Sequence, residues 1–306
     1  MQSIQGRTDV YLIPGDPIIN VRLPRMFNAV FERFDIDAVL VPVRVPVRDM
    51  AVFFKASFLA RNIRGMVIAP PHKPQVVPLL DGCGLFGRVS NSVNVVRRTD
   101  DGQLEGDLFD GEGFTSALDY FNIPFRGKRV LILGAGVTGA AIGVALADGG
   151  TVNGAEHIAF YDTTAGKAIG LATHLDSFFD ATVVVAESSD PAGYDLVVNA
   201  TQLGLAPEDA LPCDVSRMDG HAAAFDVLLR GQPTPWVRAA RARGLHAQPG
   251  FEMLIQQMPY YFDYFGYTEA AQGLRDDAGF LRELIYPAEL ADEARQPRRY
   301  HSASVA

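Results

Sequence analysis

The stretch Arg129-Val-Leu-Ile-Leu-Gly-Ala-Gly-Val-Thr-Gly139 constrains this chain more than any other. Val130 to Leu133 make a short unbroken apolar run, the pattern of a parallel strand covered on both faces. Gly134, Ala135, Gly136, Val137, Thr138 and Gly139 follow as G-x-G-x-x-G. Each glycine has a physical reason. Gly134 permits a tight turn, and Gly136 lets backbone approach a pyrophosphate. Gly139 lets the next helix lie close to the strand, with its N-terminal N–H groups facing the anion. Ala140-Ala-Ile-Gly-Val-Ala-Leu-Ala147 supplies that helix from helix formers and small packing residues. The bare motif is weak, but a strand before it and a helix after it make a dinucleotide-binding unit the expectation. A purely structural glycine turn is the alternative.

Such a unit carries an acidic residue about twenty residues on, where a second strand ends. His157-Ile-Ala-Phe-Tyr161 reads as that strand, and Asp162 stands at its end. A carboxylate there accepts both hydroxyls of an adenine ribose and repels a 2′-phosphate. No Arg or Lys lies beside it until Lys167, so NAD is expected over NADP. Asp162 also suits a cap for the helix after it, since Asp-Thr-Thr is good capping chemistry.

Three zones follow one another along the chain. Residues 9 to about 105 alternate strand-like runs (Val10–Ile13, Ala38–Val43, Gly65–Ala69, Ser92–Val96) with helical spacing such as Met26 to Phe34. Phe114 to Phe121 reads as a connecting helix, ended by Asn122 and Pro124. A second βα series runs from Arg126 to about Gln248, and Glu252 to Phe265 is a helix broken near Pro259. The predicted fold is therefore α/β. Residues 1–122 form a substrate-binding α/β domain and 123–249 a Rossmann-type, doubly wound parallel sheet. Residues 250–290 form a C-terminal helical segment packing back toward the first domain, and 291–306 a flexible tail. The cleft between the domains is the default ligand site.

Composition narrows the partners. The 306 residues carry 27 Lys and Arg against 36 Asp and Glu, a net charge of −9, which argues against nucleic acid or an anionic membrane. Two distant cysteines, Cys83 and Cys213, make neither a disulfide framework nor a metal site, and no metal is expected. Met1 to Asp9 is polar, unlike a signal peptide, and no apolar run approaches a membrane span, so a cytoplasmic protein is expected.

The order of motifs resembles the shikimate dehydrogenase family from Gly15 to about Tyr267. Gly65-Met-Val-Ile-Ala-Pro-Pro-His-Lys73 is similar to G-x-N-V-T-x-P-x-K, and Gly106-Asp-Leu-Phe-Asp-Gly-Glu-Gly-Phe114 to G-x-N-T-D-x-x-G-F. The resemblance places Lys73 and Asp110 on the catalytic pair. Ser92-Val-Asn94 resembles A-V-N, and Gly250-Phe-Glu-Met-Leu-Ile-Gln-Gln257 resembles G-x-x-M-L-x-x-Q, which places Asn94 and Gln257 on substrate contacts. Asp195-Leu-Val-Val-Asn-Ala-Thr-Gln-Leu-Gly204 resembles D-x-x-x-N-A-T-x-x-G. That implies a loop of Asn199, Ala200 and Thr201 beneath the nicotinamide half, with Gly250 also on the cofactor side. The implied activity is reversible hydride transfer between NAD and a secondary alcohol on a cyclic polyol such as shikimate or quinate, by a monomer or homodimer. The alternative is a relative that binds NAD or a metabolite as a regulator without efficient turnover. Retention of both Lys73 and Asp110 favours the enzyme.

The departures fall at one end of the pocket. Gly15-Asp-Pro-Ile-Ile-Asn-Val-Arg-Leu-Pro24 matches G-x-P-x-x-H-S-x-S-P, but Val21 and Leu23 replace the two serines that bind a carboxylate. Ala69 replaces a threonine that faces substrate, and Val67 an asparagine. An apolar wall cannot compensate a buried carboxylate, at a cost of several kcal/mol unless a cation replaces the lost donors. Arg22 is the candidate cation, since guanidinium binds carboxylate bidentately; the other reading is a surface arginine pointing away.

Overall fold

A computed structural model describes residues 4–148, 153–206 and 208–301. The chain forms two compact units: Met1–Phe109 with Gln257–Ile285, and Asp110–Gln256 with Tyr286–Ala306.

The first unit is built on a six-stranded sheet. Its strands are β1 (Asp9–Gly15), β2 (Ala38–Arg44), β3 (Ile63–Val67), β4 (Gly82–Cys83), β5 (Val95–Arg98) and β6 (Leu104–Asp107), in the order β2-β1-β3-β5-β6-β4. β1 pairs in parallel with β2 and β3, whereas β5 runs antiparallel to β3 and β6. The helix Leu23–Arg33 has Pro24 in its first turn and buries Met26, Phe27, Val30 and Phe31, the spacing of one helical face. That face meets aromatic side chains from the C-terminal segment, with Phe27 and Phe262 ring centroids 5.1 Å apart and Phe31 and Phe262 5.4 Å apart.

The second unit holds β7 (Arg129–Leu133), β8 (His157–Tyr161), β9 (Thr182–Val185), β10 (Leu196–Asn199), β11 (Ala223–Asp226) and β12 (His246–Pro249). The order β12-β11-β10-β7-β8-β9 is parallel throughout. It is the doubly wound arrangement in which the chain reverses direction beside the first strand, so β7 and β10 flank the switch point where such sheets take ligands. The α/β fold class and the Rossmann-type second half are as the sequence predicts.

The boundaries differ from the expected ones. The helix Asp110–Tyr120 belongs to the second unit rather than the first. It packs on the helix Val137–Ala147 so closely that a Cβ on Gly111 would lie 2.3 Å from the Ala141 carbonyl oxygen. Phe114 then meets Phe225 edge-on at 5.0 Å. The C-terminal segment is likewise divided, Phe251–Gln256 going with the second unit and Gln257–Ile285 with the first.

The tail also differs from the loose segment expected. Ala291–Arg295 is helical, and Glu293 grips Arg241 with two bonds of 2.8 and 2.9 Å. Tyr300 donates its N–H to Phe121 O at 2.7 Å and its hydroxyl to His221 O at 2.9 Å. A polar, aperiodic stretch is thus held by specific pairings that no periodicity records; residues 302–306 lie outside the described residues. No described helix is long and apolar enough to cross a membrane.

Candidate active site

Of the residues singled out in the first unit, Val21 and Leu23 follow β1 and Ala69 and Lys73 follow β3, whereas Asn94 immediately precedes β5 and Gln257 precedes the helix Met258–Tyr264. β1 ends at Gly15, where a Cβ would lie 2.8 Å from Ile18 and 3.0 Å from Ala69, so the turn carrying residues 16–23 lies against the turn after β3. Asp16 N–H to Pro70 O at 3.2 Å and Ala69 N–H to Pro14 O at 3.0 Å join the two turns. Ala69 is buried, and Val21 and Leu23 are half-buried. The Arg22 guanidinium donates to the carbonyl of Ile285 at 2.9 Å. Burial, and Arg25 nearby, lower its pKa.

Lys73 opens the short helix Lys73–Val76 and is half-buried. The turn that delivers it is anchored by His72, which is wholly buried. One ring nitrogen of His72 meets Val45 O at 2.9 Å and the other meets Gln75 Oε1 at 3.2 Å. The Lys73 carbonyl accepts from Val93 N–H at 3.1 Å, one residue before Asn94. Asn94 is buried, and its Oδ1 accepts from Phe109 N–H at 3.0 Å. Its Nδ2 is buried with no hydrogen-bond partner among the described residues. A buried amide left with an unmade bond is costly in a native fold, so this donor is available to a further acceptor.

Gln257 is buried and precedes the helix Met258–Tyr264; its Oε1 accepts from the Tyr261 hydroxyl at 2.9 Å. Phe109 packs its ring against Tyr260, Tyr261 and Tyr264 at 5.9, 5.7 and 5.5 Å. His72, Phe109 and Tyr261 were not singled out from the sequence. The signal for Tyr261 was its place one turn after Gln257 on a helix, where side chains four apart meet.

In the second unit Asp110 is buried at the first position of its helix. The glycine turn joins β7 to the helix Val137–Ala147. Gly134 has φ +103°, open to glycine, and a Cβ there would lie 2.9 Å from Ala200. Gly139 is closer still, a Cβ meeting the Gly134 carbonyl oxygen at 2.0 Å. At Gly136, by contrast, nothing lies within 4 Å of where a Cβ would stand, and no side chain caps the helix it begins. An open approach to the uncapped first-turn N–H groups of Val137, Thr138 and Gly139 is what a pyrophosphate needs, so these residues fit a dinucleotide.

The loop after β10 is fixed by its own polar groups. Asn199 Oδ1 accepts from Thr201 N–H at 3.1 Å and Thr201 Oγ1 at 2.6 Å, and Asn199 Nδ2 donates to Leu203 O at 3.0 Å and Asp226 Oδ1 at 3.2 Å. Ala200 N–H bonds Leu133 O at 2.8 Å, which seats the loop beside the glycine turn. Gly250 lies where a Cβ would come within 2.5 Å of Val227 O. Burial pushes the Asp226 carboxyl up to about 6, although Thr234, Leu228 and Asn199 all donate to it.

The comparisons with known proteins agree with this architecture. Residues 13–96 match the family described as shikimate dehydrogenase substrate binding domain. The chain is 34% identical over 260 residues to shikimate dehydrogenase (NADP(+)) of Rubrobacter xylanophilus, covering 83% of this chain and 89% of that protein. The chain belongs to the shikimate dehydrogenase family. It is an oxidoreductase of that family. It is also 32% identical to shikimate dehydrogenase (NADP(+)) of Geobacillus kaustophilus, covering 91% of this chain and 98% of the relative. Among solved structures, the 5-ketofructose reductase of Gluconobacter sp. strain CHM43 superposes with a TM-score of 0.77 at 28% identity, covering 89% of this chain and 99% of that one.

One expectation is overturned. NAD was expected over NADP on the strength of Asp162, yet both family relatives are named for NADP(+). The structure gives the physical reason. Asp162 Oδ2 accepts from Ala135 N–H at 3.0 Å and Oδ1 from Thr164 N–H at 2.8 Å. Both carboxylate oxygens are engaged in holding the glycine turn and the start of the next helix. Burial by itself raises this pKa, but those two N–H groups and Lys167 outweigh it and hold the carboxyl below its ordinary value. An acidic residue at this strand end therefore has a use in turn chemistry that holds whichever dinucleotide binds.

Proposed function

We propose that this protein catalyses reversible hydride transfer between NADP(H) and a secondary alcohol or ketone on a polyhydroxylated substrate lacking a carboxylate. The observation that carries the substrate class is the wall of Val21, Leu23 and Ala69 beside an arginine whose guanidinium is already bonded to Ile285 O. A carboxylate placed there would lose its hydration without gaining donors in return. The similarity to 5-ketofructose reductase, whose named substrate is an uncharged ketose, supports the same reading.

In this reading a bound nicotinamide dinucleotide supplies or accepts the hydride. Lys73 takes the hydroxyl proton as the alcohol is oxidised and returns it to the carbonyl oxygen in reduction, so the proton balances the hydride. Asp110 accepts a hydrogen bond from the reacting hydroxyl and so orients it. Asn94 and Gln257 hold neighbouring hydroxyls, and the backbone around Gly134, Gly136 and Gly139 carries the phosphates.

The test is a turnover screen with NADP(H) against shikimate, quinate, fructose and 5-ketofructose. The uncharged compounds should have kcat/KM at least tenfold above the carboxylated ones. A preference for shikimate or quinate would overturn the substrate class while leaving the family reaction standing.

A further inference from the structure

An amide side chain offers an acceptor oxygen and a pair of N–H donors, and rotation by half a turn exchanges them. Asn94 has no such freedom. Its Oδ1 faces the Phe109 N–H at 3.0 Å, and a backbone N–H can only donate. Turning the amide over would set donor against donor in a buried place and strand both. The Nδ2 group is thereby pointed away from Phe109, buried and without a partner among the described residues.

The same arrangement recurs at Gln257. Its Oε1 accepts from the Tyr261 hydroxyl at 2.9 Å, which turns Nε2 away from that ring. A phenol can donate or accept, so this lock is softer than the first. Phe109 joins the two: its backbone fixes Asn94, and its ring meets that of Tyr261 edge-on at 5.7 Å. Phe109 stands where the family motif carries a small hydroxyl residue, so the aromatic contact is a feature of this chain.

We propose that Phe109 and Tyr261 are positioning residues that turn Asn94 and Gln257 into donor-only contacts. The first unit then selects a substrate whose oxygens at those two positions act as acceptors, and it rejects an ammonium there. The inference rests on the reading of Asn94 and Gln257 as substrate contacts. Hydroxyl and carbonyl oxygens satisfy both amides through lone pairs, whereas an ammonium has donors only and would leave the buried Nδ2 unpaired. A site built to hydrogen-bond one group rejects an analogue that cannot return the bond.

The experiment compares quinate, shikimate and 5-ketofructose, each with a counterpart in which one hydroxyl is replaced by an amine. On whichever parent turns over, wild type should favour the parent over its amine by at least a hundredfold in kcat/KM. Tyr261→Phe keeps the ring but frees the Gln257 amide, and the preference should fall at least tenfold. Asn94→Asp keeps an acceptor for Phe109 N–H and replaces the donor with a carboxylate oxygen, so it should invert the preference. If no parent turns over, the proposed reaction fails, and calorimetric binding of the same pairs tests the selection by itself. Equal handling of parent and amine by wild type, an unchanged ratio in both variants, or no binding of either compound overturns the inference.

Discussion

Arg22 and Ile285 are fastened together, the guanidinium Nη1 lying 2.9 Å from the carbonyl that ends the helix Gly279–Ile285. The arginine that flanks Val21 and Leu23 therefore secures a helix C-terminus, where a cation is favourably placed. Arg22→Ala should lower stability by about 1.5 kcal/mol, the low end for loss of a charge-assisted bond, and leave the ratio of kcat/KM between carboxylated and uncharged substrates unchanged. The triple variant Val21→Ser, Leu23→Ser, Ala69→Thr should shift that ratio toward shikimate by at least tenfold. A collapse of shikimate turnover in Arg22→Ala alone would instead make Arg22 the carboxylate's partner.

Lys73→Ala should reduce kcat by about a hundredfold or more, the scale of losing a general acid–base group. Dinucleotide affinity, measured by calorimetry, should stay within twofold, because Lys73 and the glycine turn belong to different units. Asp110→Asn should act alike, and the double variant should lose less than the two single losses multiplied together. Near-normal turnover in Lys73→Ala would remove it from the chemistry.

Asp162→Ala should weaken NADP and NAD binding by similar factors, several-fold each, because it releases Ala135 N–H and Thr164 N–H and loosens the turn. A carboxylate that selected against the 2′-phosphate would behave differently, its removal improving NADP alone. Fluorescence titration of both cofactors against the variant separates the two.

Stability should respond to pH through two buried groups that oppose each other. Burial pushes Asp226 up to about 6, so the folded state binds that proton more tightly than the unfolded chain. Its contribution is present below about 3.8 and is lost as pH rises through about 6. Burial, with Arg241, Arg298 and His301 nearby, pushes His246 down to about 4, so its contribution is present above about 6.5 and is lost as pH falls through about 4. Between pH 4.5 and 6 each slope approaches about 1.4 kcal/mol per pH unit with opposite sign, and together they cancel. Urea denaturation of the two single variants, each compared with wild type, separates the contributions. His246→Phe should become more stable as pH falls, and Asp226→Asn less stable. Parallel profiles for all three proteins would refute the pairing.

The second unit was the more legible in the sequence, because its signals are local. A buried strand, a glycine turn and a small-residue helix lie consecutively in 129–147, and each constrains the next. β6 and β12 were not foreseen: Leu104-Glu-Gly-Asp and His-Ala-Gln-Pro249 lack β-branched runs and are strands only because a neighbour offers a ladder. Asp162 was visible, but its use was not, since a carboxylate at a strand end suits a ribose and a turn equally. Asn94 and Gln257 stood out in their motifs. Which atom each presents depends on Phe109 and Tyr261, and partners of that kind are set by tertiary packing.

The chain passes between its two units at three places, after Phe109, after Gln256 and after Ile285. Neither unit is therefore a contiguous cassette. Cutting the gene at any single codon leaves at least one unit incomplete, the first lacking the aromatic helix that covers Phe27 and Phe31, or the second lacking Glu293 and Tyr300. A lone nucleotide-binding fragment would have to be built from 110–256 with 286–306 spliced directly behind it. Exchanging substrate modules whole between relatives would take crossovers at all three seams, so substrate preference in this architecture drifts more readily by point changes such as those at 21, 23 and 69 than by shuffling whole segments.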